Sequence, residues 1–188
     1  MRGAEAIIEP AELLGTSVLR KVRVPKAYRA KQLDEKLRKE RTKTEAKLLS
    51  RAKDAGVRTP LVYEVSDFEL VMGKIEGKLA SELASLSPKL LFEFGKALAL
   101  LHKKGIIHGD FTPANIIVSK DGSIFVIDFG LGFFSNDTED KAVDVLTMKK
   151  ALGTNAQAFL SSYEKNGNKS VVEHAKEVES RGRYQERG

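Results

Sequence analysis

The chain of 188 residues contains no cysteine. A disulfide framework and a thiolate metal site are both excluded by that absence. No apolar run approaches the roughly 20 residues that a membrane-spanning helix needs. The first ten residues, "MRGAEAIIEP", lack the apolar core and cleavage site of a signal peptide. These absences lead us to expect a cytoplasmic protein with no membrane partner. Aromatic residues are scarce at 7%, proline occurs five times, and neither an internal repeat nor a low-complexity linker is present.

Apolar residues make up 41% of the chain and charged residues 31%. That balance suits one globular domain, or one small two-lobed unit around a shared cleft. The net charge of +6 is unevenly spread, because residues 20–53 hold fourteen Lys/Arg against four Asp/Glu. One reading is a solvated helix laced with i,i+4 pairs such as Glu35–Lys39. The other is a surface for a polyanion such as RNA. Tyr28 is the only aromatic residue in the run, so contacts there would go to phosphates rather than to stacked bases.

The first thirty residues read as hairpin strands, "AEAIIE" and "SVLRKVRV", with turn signals at Pro10 and Gly15. Residues 33–56 read as helix, with Leu33, Leu37, Leu48, Leu49 and Ala52 apolar and a polar middle that suggests a bend. "PLVYEVS" and "FELVMGKI" read as two more strands. The clearest helix follows at "SPKLLFEFGKALALLHKKG", with Ser87 as N-cap, Pro88 in the first turn and Gly105 as the stop. Short strands are expected at 106–107, 116–118 and 124–127, the last two joined by the turn "KDG". Helices near 139–152, 155–165 and 169–180 and a tail, "RGRYQERG", complete the chain.

Between those short strands stand His108, Asp110, Asn115 and Asp128. Two carboxylates and a carboxamide are oxygen donors of the kind Mg²⁺ prefers. A hairpin that folds Asp128 back beside the 110–115 loop would let one group hold metal while another faces the attacking hydroxyl. Phosphoryl transfer requires that division. The alternative is a pair of aspartates capping turns.

"HGDFTPAN" at 108–115 resembles the protein-kinase catalytic loop with its Arg replaced by Gly, and "DFG" at 128–130 resembles the metal-binding motif that follows it. Expected parts are also missing. There is no G-x-G-x-x-G loop, only "GAEA" at 3–6, and no "APE" follows "DFG", after which about 58 residues remain. Those departures narrow the likeness to small atypical kinases. The chain is similar, over nearly its whole length, to the kinase-like ATPase subunits of the KEOPS tRNA-threonylcarbamoylation complex. The segments that carry the likeness are "GAEA", "VPKAYRAKQLDEKLRKERTKTEAKLLSRA", "IEG", "EDKAVDV" and the closing "RGR". Phe111 stands where Leu is usual and Gly73 where an acidic residue is usual; neither removes a ligand.

The resemblance implies an α+β, protein-kinase-like fold: a small N-terminal sheet lobe at 1–72, a hinge at 72–77 and a reduced helical C-lobe at 78–188. It implies ATP and Mg²⁺, with Asp110 as base or water-orienting group and Asn115 and Asp128 as metal ligands. Lys21, rather than its strand neighbours Arg20 and Arg23, would clamp the phosphates, held by Glu45. Met72 would border adenine, with the Gly73 carbonyl and Ile75 amide on its edge. The implied partners are the threonylcarbamoyl-transferase subunit, other small subunits of the complex, and tRNA. Lys36, Arg38, Lys39, Arg181 and Arg183 are the candidate tRNA contacts. Protein phosphorylation on serine or threonine is a further implied activity. His108 is expected to brace the catalytic loop, and Asp144 to accept that loop's backbone amides. His102 is expected to suit a helix dipole, and His174 to lie on the surface. Two rivals remain at this point. A small-molecule phosphotransferase of the aminoglycoside type would need an acidic substrate pocket, and a non-enzymatic tRNA-binding assembly subunit would have no use for Asp128.

Overall fold

The computed structural model describes residues 6–185; residues 3–5 of the "GAEA" segment and the side chain of Arg183 lie outside the described residues. Strands β1 (Ala6–Leu13) and β2 (Thr16–Arg23) form an antiparallel hairpin closed by Leu14 and Gly15, both at positive φ (49° and 77°). Such turns match the twist of the flanking strands. With β3 (Val62–Val65) and β4 (Glu69–Gly73) they make a four-stranded sheet of order β1-β2-β4-β3. Pro10 does not mark a turn. It sits within β1 opposite Leu19, which is tolerated because β1 is an edge strand whose outer N–H positions need no partner.

Helix α1 (Lys31–Asp54) crosses the sheet as one continuous helix of 24 residues. The expected bend is absent, and one side of the polar middle is buried with its partners while Lys36, Glu40 and Lys43 face outward. Arg38, Thr42 and Glu45 are all at most 9% exposed, and each is hydrogen-bonded. Leu48, Leu49 and Ala52 then anchor the helix in the core.

Beyond β4 the chain forms β5 (Lys78–Leu79) and reaches α2 (Pro88–Lys103), where Ser87 Oγ accepts the Leu90 N–H at 3.3 Å. The stripe of Leu91, Phe94, Leu98 and Leu101 is buried. β6 (Ile106–Ile107), β7 (Ile116–Val118) and β8 (Ile124–Val126) follow, then β9 (Phe133–Phe134), α3 (Thr138–Leu152), α4 (Gln157–Asn166) and α5 (Lys169–Gln185). Two short ladders were not expected: β5 pairs with β7, and β6 with β9. Strands of two residues carry too little pattern to be read from sequence. α5 also runs through residues expected to form a tail.

α2 and α4 pack in close backbone contact. A Cβ on Gly95 would lie 2.3 Å from the Phe159 carbonyl oxygen, and Ser162 Oγ donates to the Phe92 carbonyl at 2.5 Å. One apolar core runs from Leu48 and Leu70 under the sheet through Phe94, Leu98, Phe111 and Phe129 to Val171 on α5. No helix among the described residues is long and apolar enough to cross a membrane. The result is an α+β molecule of two lobes, sheet-rich then helical.

Candidate active site

Lys21 points from β2 to the inner face of the sheet and is 6% exposed. Its Nζ donates to Glu45 Oε1 at 2.6 Å and to Asp128 Oδ1 at 2.8 Å. Glu45 is fully enclosed, and its second oxygen accepts from Arg23 Nη2 at 2.6 Å. A buried carboxylate is costly unless paired, and here two cations hold it. Arg20 instead turns outward and grips Glu69 through both guanidinium branches, at 2.6 and 2.8 Å. Of the three cations on this strand, Lys21 is the one bonded to both Glu45 and Asp128.

The loop from 108 to 115 ends in a tight 3₁₀ turn, Pro113–Asn115, closed by the Asn115 N–H donating to the Thr112 carbonyl at 3.0 Å. Asn115 Nδ2 donates to both the Asp110 carbonyl and Asp110 Oδ2, each at 2.8 Å. Both partners are acceptors, so the amide orientation is fixed and Asn115 Oδ1 is left as a lone-pair donor. The Ile127 N–H bonds the Asn115 carbonyl at 2.9 Å, which lays the start of the DFG segment against this loop.

Asp128 adopts a left-handed backbone, φ 58°, rare for a residue with a side chain. Its Oδ1 accepts from Lys21 and from the Gly130 N–H at 3.1 Å. Burial alone would push this carboxyl up, but the Lys21 ammonium and the Gly130 amide hold it below the usual carboxylate range. Among the described residues no three His, Asp or Glu side chains cluster as a metal cage. The available donors are thus Asn115 Oδ1 and the Asp128 carboxylate. That sparse oxygen set fits Mg²⁺, which keeps waters and takes its remaining ligands from phosphates.

His108 is fully buried; its Nε2 contacts the Ile127 carbonyl at 3.1 Å and its Nδ1 accepts the Asp110 N–H at 3.3 Å. Burial lowers its pKa, and the ring packs on Phe111 and Phe129. It therefore braces the loop from inside. Asp144 on α3 lies beneath, its oxygens accepting the His108 N–H at 2.6 Å and the Gly109 N–H at 2.9 Å. Gly109 has φ +79°, and a Cβ there would lie 2.4 Å from the Leu131 carbonyl oxygen, so no arginine fits at this point of the loop.

His102 lies in the last turn of α2, as expected, but it is also 4% exposed, with Nδ1 2.6 Å from the Tyr163 hydroxyl and Nε2 3.2 Å from Asp144 Oδ2. His174 is half-buried and bonded to Glu139 and Glu177. Met72 is buried at the end of β4; the Gly73 N–H is committed to the Leu61 carbonyl at 2.8 Å, and Ile75 is half-buried in the 73–77 link.

The five candidate RNA contacts do not form one surface set. Arg38 must be set apart: it is 9% exposed, bonds Asp34 at 2.6 Å and the Arg23 carbonyl at 3.3 Å, and stacks 4.0 Å over the Phe68 ring. Lys39 pairs with Asp67 at 2.7 Å, while Lys36 is exposed and lies 4.0 Å from Glu40. Arg181 is exposed and contacts Glu139 at 3.4 Å. Sequence reasoning missed the Arg23–Glu45 pair and Tyr163. A buried arginine two residues after the lysine shares its face of the strand, and that spacing was the available signal.

The RIO domain model of protein families matches residues 16–148. A probable serine/threonine-protein kinase BUD32 homolog of Archaeoglobus fulgidus is 42% identical over 193 residues, covering 98% of this chain and 95% of that protein. A probable bifunctional tRNA threonylcarbamoyladenosine biosynthesis protein of Methanobrevibacter smithii is 43% identical over 198 residues, covering 97% of this chain. The chain spans 36% of the length of that bifunctional relative. Among solved structures, the Rio2 kinase of Chaetomium thermophilum in its ADP/Mg²⁺-phosphoaspartate complex superposes with a TM-score of 0.69 at 19% identity. That match covers 97% of this chain and 64% of that one. It shows the kinase-like fold. The chain belongs to the RIO-domain family of atypical kinases, among its BUD32-type members.

Proposed function

We propose that this chain is a Mg²⁺-dependent ATPase and atypical serine/threonine kinase that supports threonylcarbamoylation of tRNA adenosine within a KEOPS-type complex. The observation that carries this reading is the convergence of Lys21, Glu45 and Asp128 on one side and Asp110 with Asn115 on the other. Lys21 would clamp the nucleotide phosphates, releasing Asp128 as it does so. Glu45, neutralising Lys21 and Arg23, keeps the lysine on the site side of the sheet. Asn115 Oδ1 and Asp128 would hold Mg²⁺, which supplies charge neutralisation at the transferred phosphoryl group. Asp110, oriented by Asn115 Nδ2, would accept the proton of the attacking hydroxyl. Residues 72–77 would serve as the hinge, with Met72, the Gly73 carbonyl and the Ile75 amide at adenine.

A cleft of about 470 Å³ beside the catalytic loop is lined by residues such as Ser81, Leu83, Thr112, Ala114 and Asn155, with no charged side chain. That lining supports this reading over an aminoglycoside phosphotransferase, whose cationic substrate needs carboxylates. The exposed cations Lys36 and Lys43 on α1, the latter 3.9 Å from Asp67, would together with Arg181 face tRNA beside the transferase partner.

The test is release of phosphate from labelled ATP with Mg²⁺, in the presence and absence of the transferase partner and tRNA, for wild type and Asp110→Ala. Free phosphate that rises with partner and tRNA and falls about 10²–10⁴-fold in the variant is the expected result. Label transferred to a serine or threonine would place the kinase activity first. Equal turnover in wild type and variant, or none under any condition, would overturn the reading.

A further inference from the structure

The polar chain behind the catalytic loop extends further than the loop itself needs. Asp144 is 1% exposed and carries three contacts: the His108 and Gly109 amides and His102 Nε2. A carboxylate only accepts, so His102 must present a proton on Nε2. In a neutral ring the other nitrogen, Nδ1, is then a bare lone pair. The Tyr163 hydroxyl, from α4, lies 2.6 Å from it in edge-on ring contact. A phenol is a donor there, and the direction of every proton along the chain is settled: Tyr163 to His102, His102 to Asp144, and the loop amides to Asp144.

We propose that Tyr163 is a positioning residue for the catalytic loop, its hydroxyl anchoring the His102 ring in the orientation that presents Nε2–H to Asp144 under His108 and Gly109. Asp144 alone keeps the proton on Nε2, but without the Tyr163 donor Nδ1 is a buried lone pair with no partner and the ring is held at one nitrogen only. The ring then turns from its line between Tyr163 and Asp144, and the carboxylate is no longer held in register with the loop amides. Asp110, two residues beyond His108, moves with the loop. The close seam between α2 and α4 at Gly95 aligns the hydroxyl with the ring. This inference rests on the proposed Mg²⁺–ATP reaction for its kinetic arm only.

Tyr163→Phe keeps the ring and its packing and removes only the donor. Ser162→Ala, at the same seam and equally buried, is the control for packing. Two measurements on the full chain test the idea. By hydrogen–deuterium exchange, the peptide containing His108 and Gly109 should lose protection at least fivefold in Tyr163→Phe and not in Ser162→Ala. In turnover with Mg²⁺–ATP, partner and tRNA, Tyr163→Phe should lower kcat about tenfold with KM for ATP unchanged. In a His102→Gln background, removing the hydroxyl should change neither readout further, because the ring it orients is gone. Unchanged exchange at 108–109 in Tyr163→Phe, or loss matched by Ser162→Ala, would overturn the inference. So would a full additional effect of Tyr163→Phe in the His102→Gln background. A wild type without turnover would sink the proposed reaction, while the exchange arm would still decide the role of Tyr163.

Discussion

At the scale of single residues, the site is governed by who neutralises whom. Glu45 stands between Lys21 and Arg23, whose side chains are 7% and 4% exposed. Removing one member of a buried ionic group leaves the others uncompensated. Glu45→Gln is therefore expected to cost about 3 kcal/mol of stability, read as a lower urea midpoint, and to raise KM for ATP. A midpoint equal to wild type would show that the two cations find other partners. The residues with the most specific chemistry were also the most legible in the sequence. Asp110, Asn115 and Asp128 come in a fixed order between apolar runs, and no packing requirement puts three oxygen donors there. Arg38 was misread for the opposite reason. Its neighbours Lys36 and Lys39 are surface cations, and nothing in the run "KLRK" distinguishes the one whose face turns to Phe68. Tyr163 could not be found at all, since a tyrosine on a helix is ordinary core until its hydroxyl is seen to meet His102.

At the scale of elements, the capped helix α2 and the β1–β2 hairpin were readable because their local signals agree with their tertiary environment. α1 was the exception: its polar centre looks solvated in sequence, but Arg38, Thr42 and Glu45 on one side of it are enclosed in the fold. The C-terminal helices are tied by a different device. Glu139 at the start of α3 accepts from His174 on α5 and also from Arg181 at 3.4 Å. The hydrogen bond to Glu139 raises the pKa of His174 from its ordinary 6.5. Because the folded value is the higher one, the stabilisation is complete below the unfolded pKa and fades as pH climbs through the folded value. Glu139, held low by the same bond, stays ionised throughout. His174→Asn should thus melt below wild type at about pH 5.5 and together with it at about pH 9. A gap that is equal at both pH values would mean that packing, not charge, joins α3 to α5.

At the scale of the whole molecule, charge is segregated between two surfaces of one helix. Arg38, the buried cation of α1, is held within the fold by Asp34 and the Phe68 ring, whereas Lys36 and Lys43 are exposed. Reversing Lys36 and Lys43 to Glu should weaken tRNA association and flatten its salt dependence, with slope falling by roughly one to two counterions. ATP binding should not change. Arg38→Glu, by contrast, is expected to lower the melting temperature. A slope unaffected by the Lys36/Lys43 reversal would remove α1 from the RNA surface. Gly109 carries a consequence of a different kind. The segment after DFG lies so near the catalytic loop that even a methyl group at 109 would strike Leu131, and β9 is stitched to β6 through Ile106–Phe134 and Ile107–Phe133. For that segment to swing away, both of those backbone pairings would have to break and Leu131 would have to reseat. The structure holds the catalytic loop assembled, like a press whose dies are closed to gauge. On the proposed reading, control would then fall on loading, release and the company the enzyme keeps.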